Sequence, residues 1–290
     1  MRGLAEFIMR GRWQALAVAA LGAGSLLFGW ISAAAVALVT LRKGLSDGAW
    51  LALWAVLPAG VAAYVSGDIG SILLLLGTLC LALVLRLSVS LALAVSVTVV
   101  VGYLSGLLLL WVSVEFLQQL TEVFDAVLSQ LEEGFNRQGE SAIVLSRPNA
   151  TQIAGMLAAG NSGMTVLSLL LGRYWQALLY NPGGFKREFH ALRLPSQWTL
   201  GLAVTTLVLW FAVPSLNGWA AISAIPLIFC GFALAHARAS MTGQGGGWLT
   251  AFYVLWLVLD PVKVALLAVV VIDAFMDFRS RWQQRGAGGV

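Results

Sequence analysis

Two charged residues lie inside an apolar run of the chain, where an ionised side chain needs a physical reason to be present. Asp260 and Lys263 interrupt residues 248–275, and a separation of three positions places both on one face of a helix. Because an unpaired charge in an apolar medium is costly, we expect the two to be paired. The pair can simply neutralise itself, bind a group on another helix, or take part in substrate binding or proton-linked gating.

A second polar group lies in the middle of another apolar run. Residues 158–164, AAGNSGM, contain weak helix formers on both sides of Asn161 and Ser162. Such a stretch can unwind a membrane helix and present its polar groups to a substrate. The alternative is that its small residues let a neighbouring helix approach closely. The candidate substrate-binding residues are therefore Asn161, Ser162, Asp260 and Lys263.

Motifs of soluble enzymes that bind metals, phosphates or acyl groups are absent from the sequence. The two histidines, His190 and His236, are far apart along the chain. Cys80 and Cys230 lie within apolar runs and have no metal-ligand spacing. We predict no catalytic residue, no metal site and no cofactor, and thus a protein that is not an enzyme.

The densest basic cluster away from the two ends of the sequence follows an apolar run. Asn-Pro-Gly-Gly at 181–184 predicts a turn, and residues 185–190, FKREFH, then alternate aromatic with charged side chains. This alternation is typical of a short interfacial helix whose aromatics enter the headgroups while its cations meet anionic lipid. Docking of a protein partner fits the same residues. The residues predicted to contact lipid or a partner here are Lys186, Arg187, His190 and Arg193.

The composition defines the setting of these residues. Of 290 residues, 60% are hydrophobic and only 10% are charged, whereas soluble domains carry about 25% charged residues. The apolar runs are long enough to cross a hydrocarbon core of about 30 Å. The net charge of +4 does not indicate nucleic-acid binding, because the basic residues lie at the ends of the runs. The chain is therefore predicted to be an all-α, polytopic transmembrane helix bundle whose partner is the lipid bilayer.

The runs divide into six full spans and two longer terminal segments, about eight membrane segments in all. The terminal segments, 13–40 and 248–275, are longer than one span needs. We predict a break in the first at 21–25, LGAGS, and in the second at Asp260-Pro261. Eight simple spans are the alternative. The six full spans are 49–65, 69–85, 88–111, 150–172, 197–214 and 218–235.

Residues 112–148 separate two membrane halves of what we predict to be one integral membrane domain. Between Phe116 and Phe135 apolar residues recur every three or four positions, and the opposite face is acidic. This pattern predicts one external amphipathic helix, which can lie on the bilayer, pack over the bundle or cover a binding site. The domain, 1–290, divides into 13–111, 112–148, 150–276 and a basic tail at 277–290.

The distribution of basic residues orients the bundle. The opposite loops carry only Arg137 and Arg147, whereas eight Lys and Arg residues lie in the loops on one side. The positive-inside rule assigns that side to the cytoplasm. With both terminal segments broken, both termini return to the cytoplasmic side. The loops assigned to the cytoplasm are 42–48, 86–87, 173–195 and 236–247.

Two stretches resemble the YybS-like family of predicted bacterial membrane proteins. They are RYWQALLYNPGGFKREFHALRLP at 173–195 and SAAAVALVTLRKG at 32–44. The resemblance implies an inner-membrane protein distantly similar to the substrate-binding subunits of energy-coupling-factor transporters. Those subunits have a broken early segment and an AxxxA patch that contacts the coupling subunit. Ala33 and Ala37 match that patch, although helix packing uses the same spacing.

Two classes of function follow from these features. The first is a small-molecule transport component without its own ATPase, which works with a membrane coupling subunit and a cytoplasmic ATPase. The second is a non-transporting scaffold in envelope biogenesis, which docks envelope proteins through the external helix and the basic loop. In both, the protein is a multi-pass component of the bacterial inner membrane.

Overall fold

The computed structural model describes residues 1–25, 27–137, 144–243 and 246–287. Within these ranges the chain is helical and contains no β-strand, which confirms the all-α class. The helices are α1 (Arg2–Arg10), α2 (Arg12–Ala23), α3 (Gly29–Lys43), α4 (Leu45–Ser66), α5 (Gly70–Ser88), α6 (Leu91–Val112), α7 (Val114–Arg137), α8 (Ala150–Tyr180), α9 (Gly184–His190), α10 (Ser196–Phe211), α11 (Asn217–Thr242), α12 (Gly246–Val258), α13 (Asp260–Met276) and α14 (Phe278–Ala287). A 3-10 turn, Pro214–Leu216, precedes α11.

Five of the described helices are long and apolar enough to cross a membrane, namely α4, α5, α6, α8 and α11 with its preceding turn. The pair α12 and α13 is bent by 113° and supplies a sixth span if it is counted as one. α10 covers the predicted span 197–214 but has only 16 residues. The described residues therefore form a helical bundle with five or six membrane-capable segments, and the predicted count of about eight is not confirmed.

Both terminal apolar segments are broken at the predicted positions. In the first segment α2 ends at Ala23 and α3 begins at Gly29, while in the second α12 ends at Val258 and α13 begins at Asp260. The second break follows from Pro261, which has no backbone N–H to continue the helix. α2 packs against α3, so the first segment is a helical hairpin and not a single span.

The centre of the bundle is α3, in which every residue from Ser32 to Leu41 is buried. Most of these residues are small, so α2, α5 and α8 all pack closely against it. At the contact with α8, a Cβ atom added to Gly172 would lie 2.7 Å from the Cβ of Ala37. Close approach through small residues supplies the packing that associates helices in lipid, where hydrophobic burial contributes little.

One end of the bundle gathers most of the basic residues, and we call it the basic end. Arg86 on α5 donates a hydrogen bond to the carbonyl oxygen of Leu41 at 2.7 Å and so caps the end of α3. Arg12, at the start of α2, pairs with Asp47 at the start of α4 at 2.9 Å. All but three of the 17 Lys and Arg residues belong to this end by position, the exceptions being Arg137, Arg147 and Lys263.

The external helix predicted from the amphipathic pattern is α7, at the opposite end of the bundle. Leu117, near its start, is 1% exposed, whereas Val123 and Val127 on the same apolar stripe are 57% and 50% exposed. On the acidic face, Arg147 pairs with Glu132 at 2.9 Å and also with Asp125. α7 is thus fastened to the bundle at its start, while much of its apolar stripe is left uncovered within the chain.

Candidate functional site

The predicted substrate stretch 158–164 does not unwind. α8 is one continuous helix of 31 residues, and the Ser162 hydroxyl donates to the carbonyl oxygen of Ala158 at 2.7 Å. That bond satisfies the hydroxyl within its own helix, and the Ser162 side chain packs against Gly102 on α6. Asn161 is half-buried on the same continuous helix. Of the two interpretations of this stretch, close packing is the one observed, because its small residues allow α6 and α8 to pack closely.

The predicted Asp260–Lys263 pair and the predicted patch of Ala33 and Ala37 do not share a site with this stretch or with each other. Asp260 and Lys263 pair at 2.7 Å as predicted, but their side chains are 88% and 41% exposed at the bend between α12 and α13. Ala33 and Ala37 are fully buried in α3. These two alanines serve helix packing, and in this structure they do not lie on a surface that a partner can reach.

A cavity of about 420 Å³ lies near the basic end, between α8, α9, α11 and α12. Two of its walls are stripes with the helical spacing i, i+3, i+7, one on α8 and one on α11. The short helix α9 covers one end, and α12 contributes one side chain. The lining residues are Leu167, Leu170 and Tyr174 on α8, Phe185, Lys186, Phe189 and His190 on α9, Phe229, Phe232 and His236 on α11, and Tyr253 on α12.

Polar groups gather at the end of the cavity nearest α9. The ring centroids of His190 and His236 are 6.3 Å apart, and Nε2 of His236 lies 2.9 Å from the hydroxyl oxygen of Tyr253. Lys186 is exposed beside them. Because α8 and α11 both run toward the basic end, the earlier residues of each stripe lie deeper in the bundle. The deep end is lined by Leu167, Leu170 and Phe229.

α9 is held across the bundle by a turn and an ion pair. Gly183 has φ +81°, a left-handed conformation that glycine adopts without strain, and it reverses the chain after α8. Arg173 on α8 then pairs with Glu188 on α9 at 2.7 Å. These restraints direct Phe185 and Phe189, which stack at a centroid distance of 5.8 Å, toward the cavity.

The segment after α9 is clamped to the end of α13. Arg193 donates to the carbonyl oxygen of Asp273 at 2.9 Å and pairs with Asp277 at 2.9 Å. Arg279 pairs with the Asp273 carboxylate at 2.9 Å and donates to the carbonyl oxygen of Leu192 at 3.0 Å. Arg193 therefore uses its donors inside the protein, where the sequence had predicted contact with lipid or a partner.

The remaining residues of the predicted contact set divide between the cavity and the surface. Lys186 and His190 line the cavity, whereas Arg187 is exposed and lies outside it. Burial, followed by the charges of Lys186, His236 and Arg279, lowers the pKa of His190 below its ordinary value. The His190 imidazole is therefore neutral at pH 7 and can donate one hydrogen bond and accept another.

Sequence reasoning missed the α11 and α12 side of this cavity. His236, Tyr253 and Phe232 lie in apolar runs, where aromatic residues are ordinary. The sequence did indicate that both histidines lie near the same end of the bundle, and thus at a similar depth. Depth alone does not say which helices are neighbours, and that is why the pair was not predicted.

The cavity suits binding by hydrogen bonds, charge and aromatic contact. Among the residues that the structure describes, no cluster of three or more His, Cys, Asp or Glu side chains could hold a metal ion. The described residues that line the cavity include no acidic side chain, and its polar end carries two imidazoles, two phenols and one ammonium group. No match to this chain was found among protein-family models, among curated proteins or among solved structures.

Proposed function

We propose that this protein is a small-molecule transport component of the bacterial inner membrane, a binding subunit that has no ATPase of its own. It works with a membrane coupling subunit and a cytoplasmic ATPase. The observation that carries the proposal is the cavity at the basic end, because a mostly apolar concavity with a few convergent polar groups is the usual form of a small-molecule site. The substrate site is thus assigned to this cavity and not to Asn161, Ser162, Asp260 and Lys263.

The position of the cavity supports a coupled role. The positive-inside rule assigns the basic end, and with it both terminal helices, to the cytoplasmic side. On that side the exposed Arg187 and the surface of α9 are available to a cytoplasmic or coupling partner. A ligand in the cavity touches α9 and α12 directly, so its presence can be communicated to a partner that contacts either helix.

The test is mass spectrometry of the full chain purified in mild detergent, in which both proteins and small molecules are identified. We expect a stoichiometric small molecule together with a coupling subunit and an ATPase. Leu167→Trp fills the cavity from a position that is 51% exposed and should remove the small molecule. Met156→Trp, on the same helix and also 51% exposed, is the matched control and should retain it. An empty protein without an ATPase partner would contradict the proposal.

A second candidate is a non-transporting scaffold in envelope biogenesis, and α7 is the observation that favours it. Its exposed stripe at Val123 and Val127 and its acidic opposite face form a surface suited to a protein partner. In this case Val123→Ser with Val127→Ser should remove envelope proteins from the purified sample, whereas Leu167→Trp should leave them bound. The two functions therefore predict different results: loss of a small molecule in Leu167→Trp supports transport, and loss of envelope proteins in the α7 variant supports the scaffold.

A further inference from the structure

We propose that the cavity binds an amphipathic anion that enters sideways from the bilayer. Its apolar chain lies along the deep half of the cavity, and its single anionic headgroup is bound by Lys186 and His190. This inference rests on the proposed function, because it names the ligand class of the same site. The shared chemistry is an anionic headgroup, such as a phosphate monoester, on an alkyl or isoprenoid chain.

The polarity of the lining changes along the cavity in the way that such a ligand requires. Leu167 and Tyr174 are seven positions apart on α8, so the wall between them is about 10 Å long at a rise of 1.5 Å per residue. Along this distance the lining passes from aliphatic and aromatic side chains to Lys186, His190 and His236. A bilayer has a gradient of the same direction, from acyl chains to headgroups.

The charge at the polar end selects an anion. In the part of the chain that the structure describes, no carboxylate lines the cavity, and the acid on α9, Glu188, is already paired with Arg173 at 2.7 Å. Lys186 is exposed at the rim, and His190 can donate a hydrogen bond from its neutral ring. A cationic headgroup at this position would be repelled by Lys186 and would find no counter-charge among the lining residues.

The size and the opening of the cavity favour a ligand that has a hydrocarbon body and enters from lipid. A volume of about 420 Å³ with mostly apolar walls leaves the greater part of the space for a hydrocarbon body. Leu167 is 51% exposed within the apolar part of α8, so the deep end is open to the acyl chains. α12, which forms the neighbouring wall, has no buried residue. A ligand can therefore reach the cavity without crossing a packed helix interface.

Native mass spectrometry of the full chain in a neutral detergent tests this assignment with decyl phosphate as the probe. We expect one decyl phosphate bound per chain, and no saturable binding of decyl maltoside or decyltrimethylammonium. Inorganic phosphate should neither bind nor compete. Because hydrogen bonds to charged groups are stronger than those between neutral groups, and Lys186 supplies the cation among the described lining residues, Lys186→Gln should weaken decyl phosphate binding about tenfold.

Arg187→Gln is the matched control, since it removes the same charge at the next position but outside the lining. It should change the affinity by less than about twofold, and Leu167→Trp should abolish binding while Met156→Trp preserves it. Equal losses in Lys186→Gln and Arg187→Gln would show a diffuse surface attraction and overturn the assignment. Competition by inorganic phosphate would identify a soluble anion as the ligand and also overturn it.

Failure of this inference is distinct from failure of the proposed function. A polar metabolite that co-purifies with an ATPase partner, in a protein that does not bind decyl phosphate, would leave transport in place and refute the amphiphile. Decyl phosphate binding that depends on Lys186, in a protein without an ATPase or coupling partner, would support the amphiphile and refute coupled transport.

Discussion

The two broken terminal segments of this chain have similar lengths and opposite places in the bundle. The α2–α3 hairpin contributes a continuous buried stretch, since every residue of α3 from Ser32 to Leu41 is buried. In the α12–α13 pair, α12 has no buried residue at all, and the pair rests on α11 through ring contacts such as Phe232 with Trp256, whose centroids are 4.9 Å apart. The first broken segment therefore supplies core residues through α3, and the second supplies one wall of the cavity through α12.

Side-chain size accounts for the difference. α3 is rich in Ala, so neighbouring helix axes can approach until backbones touch, as at Gly172. α12, with the sequence GGWLTAFYVLWLV, presents bulky side chains that hold its neighbour at a distance and leave space between the helices. In lipid, where association depends on packing, the first arrangement is rigid and the second is loosely fastened. A ligand site is better placed beside the second.

The largest expected effect is at the base of the second segment. Arg279→Gln leaves the Asp273 carboxylate, whose side chain is 6% exposed, without its cation. Removal of one partner of a buried pair costs about 3 kcal/mol or more. Titration with a denaturing detergent should show this loss. Arg2→Gln, in an ion pair whose side chains are 71% and 44% exposed, should change stability by less than about 0.5 kcal/mol. Similar losses of stability in the two variants would mean that the ion pair of Arg279 with Asp273 does not stabilise the protein.

The same substitution in each segment compares their packing directly. Leu38→Ala in α3, at a residue that is 0% exposed, should destabilise the protein by about 2–3 kcal/mol through the void that it creates. Leu255→Ala in α12, at a residue that is 49% exposed, leaves a gap that lipid fills, and its effect should be below about 0.5 kcal/mol. The free energies of unfolding of both variants should be measured in one detergent. Equal losses of stability in the two variants would contradict the distinction between a closely packed core at α3 and a loosely packed cavity wall at α12.

A pair of glycine substitutions on α8 should change stability in opposite directions. Gly172→Ala forces a Cβ atom to within 2.7 Å of Ala37 and should cost about 1–2 kcal/mol by overpacking. At Gly160 an added Cβ meets nothing within 4 Å, and Gly160→Ala should stabilise the helix by about 0.5–1 kcal/mol. Thermal unfolding of the two purified variants shows whether each substitution raises or lowers stability. A stabilising Gly172→Ala would contradict the close contact with α3.

Binding at the second segment should depend on pH through His190. The pKa of His190 is lowered in the empty protein, so the ring is neutral at pH 7 and takes up a proton as the pH falls below its ordinary value of about 6.5. A bound anion favours the protonated ring, and affinity should therefore rise a few-fold from pH 7.5 to 5.5. Decanesulfonate is the probe, because its own charge is constant over this range.

His190→Gln should flatten that pH profile while leaving binding at pH 7.5 close to that of the wild type. An unchanged profile would remove His190 from the headgroup site. The other titratable or charged groups that face this ring or line the same end of the cavity are Tyr174 on α8, Lys186 on α9, His236 on α11, Tyr253 on α12 and Arg279 on α14.

The smallest effect is expected at the bend of the second segment. Asp260→Asn removes an ion pair in which the carboxylate is 88% exposed, so stability should change by less than about 0.5 kcal/mol. Binding of decyl phosphate should also be unaffected, because Asp260 does not line the cavity. Loss of decyl phosphate binding in this variant would mean that Asp260, one of the substrate residues first indicated by the sequence, belongs to the binding site.

Features with a local cause were predicted well. The break before Pro261 was predicted because proline cannot continue a helix hydrogen bond. The turn at 181–184 was predicted because Asn, Pro and Gly favour turns, and Gly183 there adopts a left-handed conformation. The Asp260–Lys263 ion pair could be predicted from helical spacing alone, because the two residues are three positions apart on one helix face. For 158–164 the sequence left unwinding and close packing open, and the helix stays continuous because weak helix propensity is a small term that the packing of α6 on α8 outweighs.

The sequence by itself determined that this is a helical membrane protein, where its terminal segments break and which end collects the basic residues. These properties follow from the composition of each segment and its own backbone chemistry. Only the tertiary structure decided that α3 is central, that Arg193 is used internally and that His190 and His236 share one cavity. Those facts depend on which helices are neighbours and on how closely side-chain size lets them approach, and no single segment contains that information.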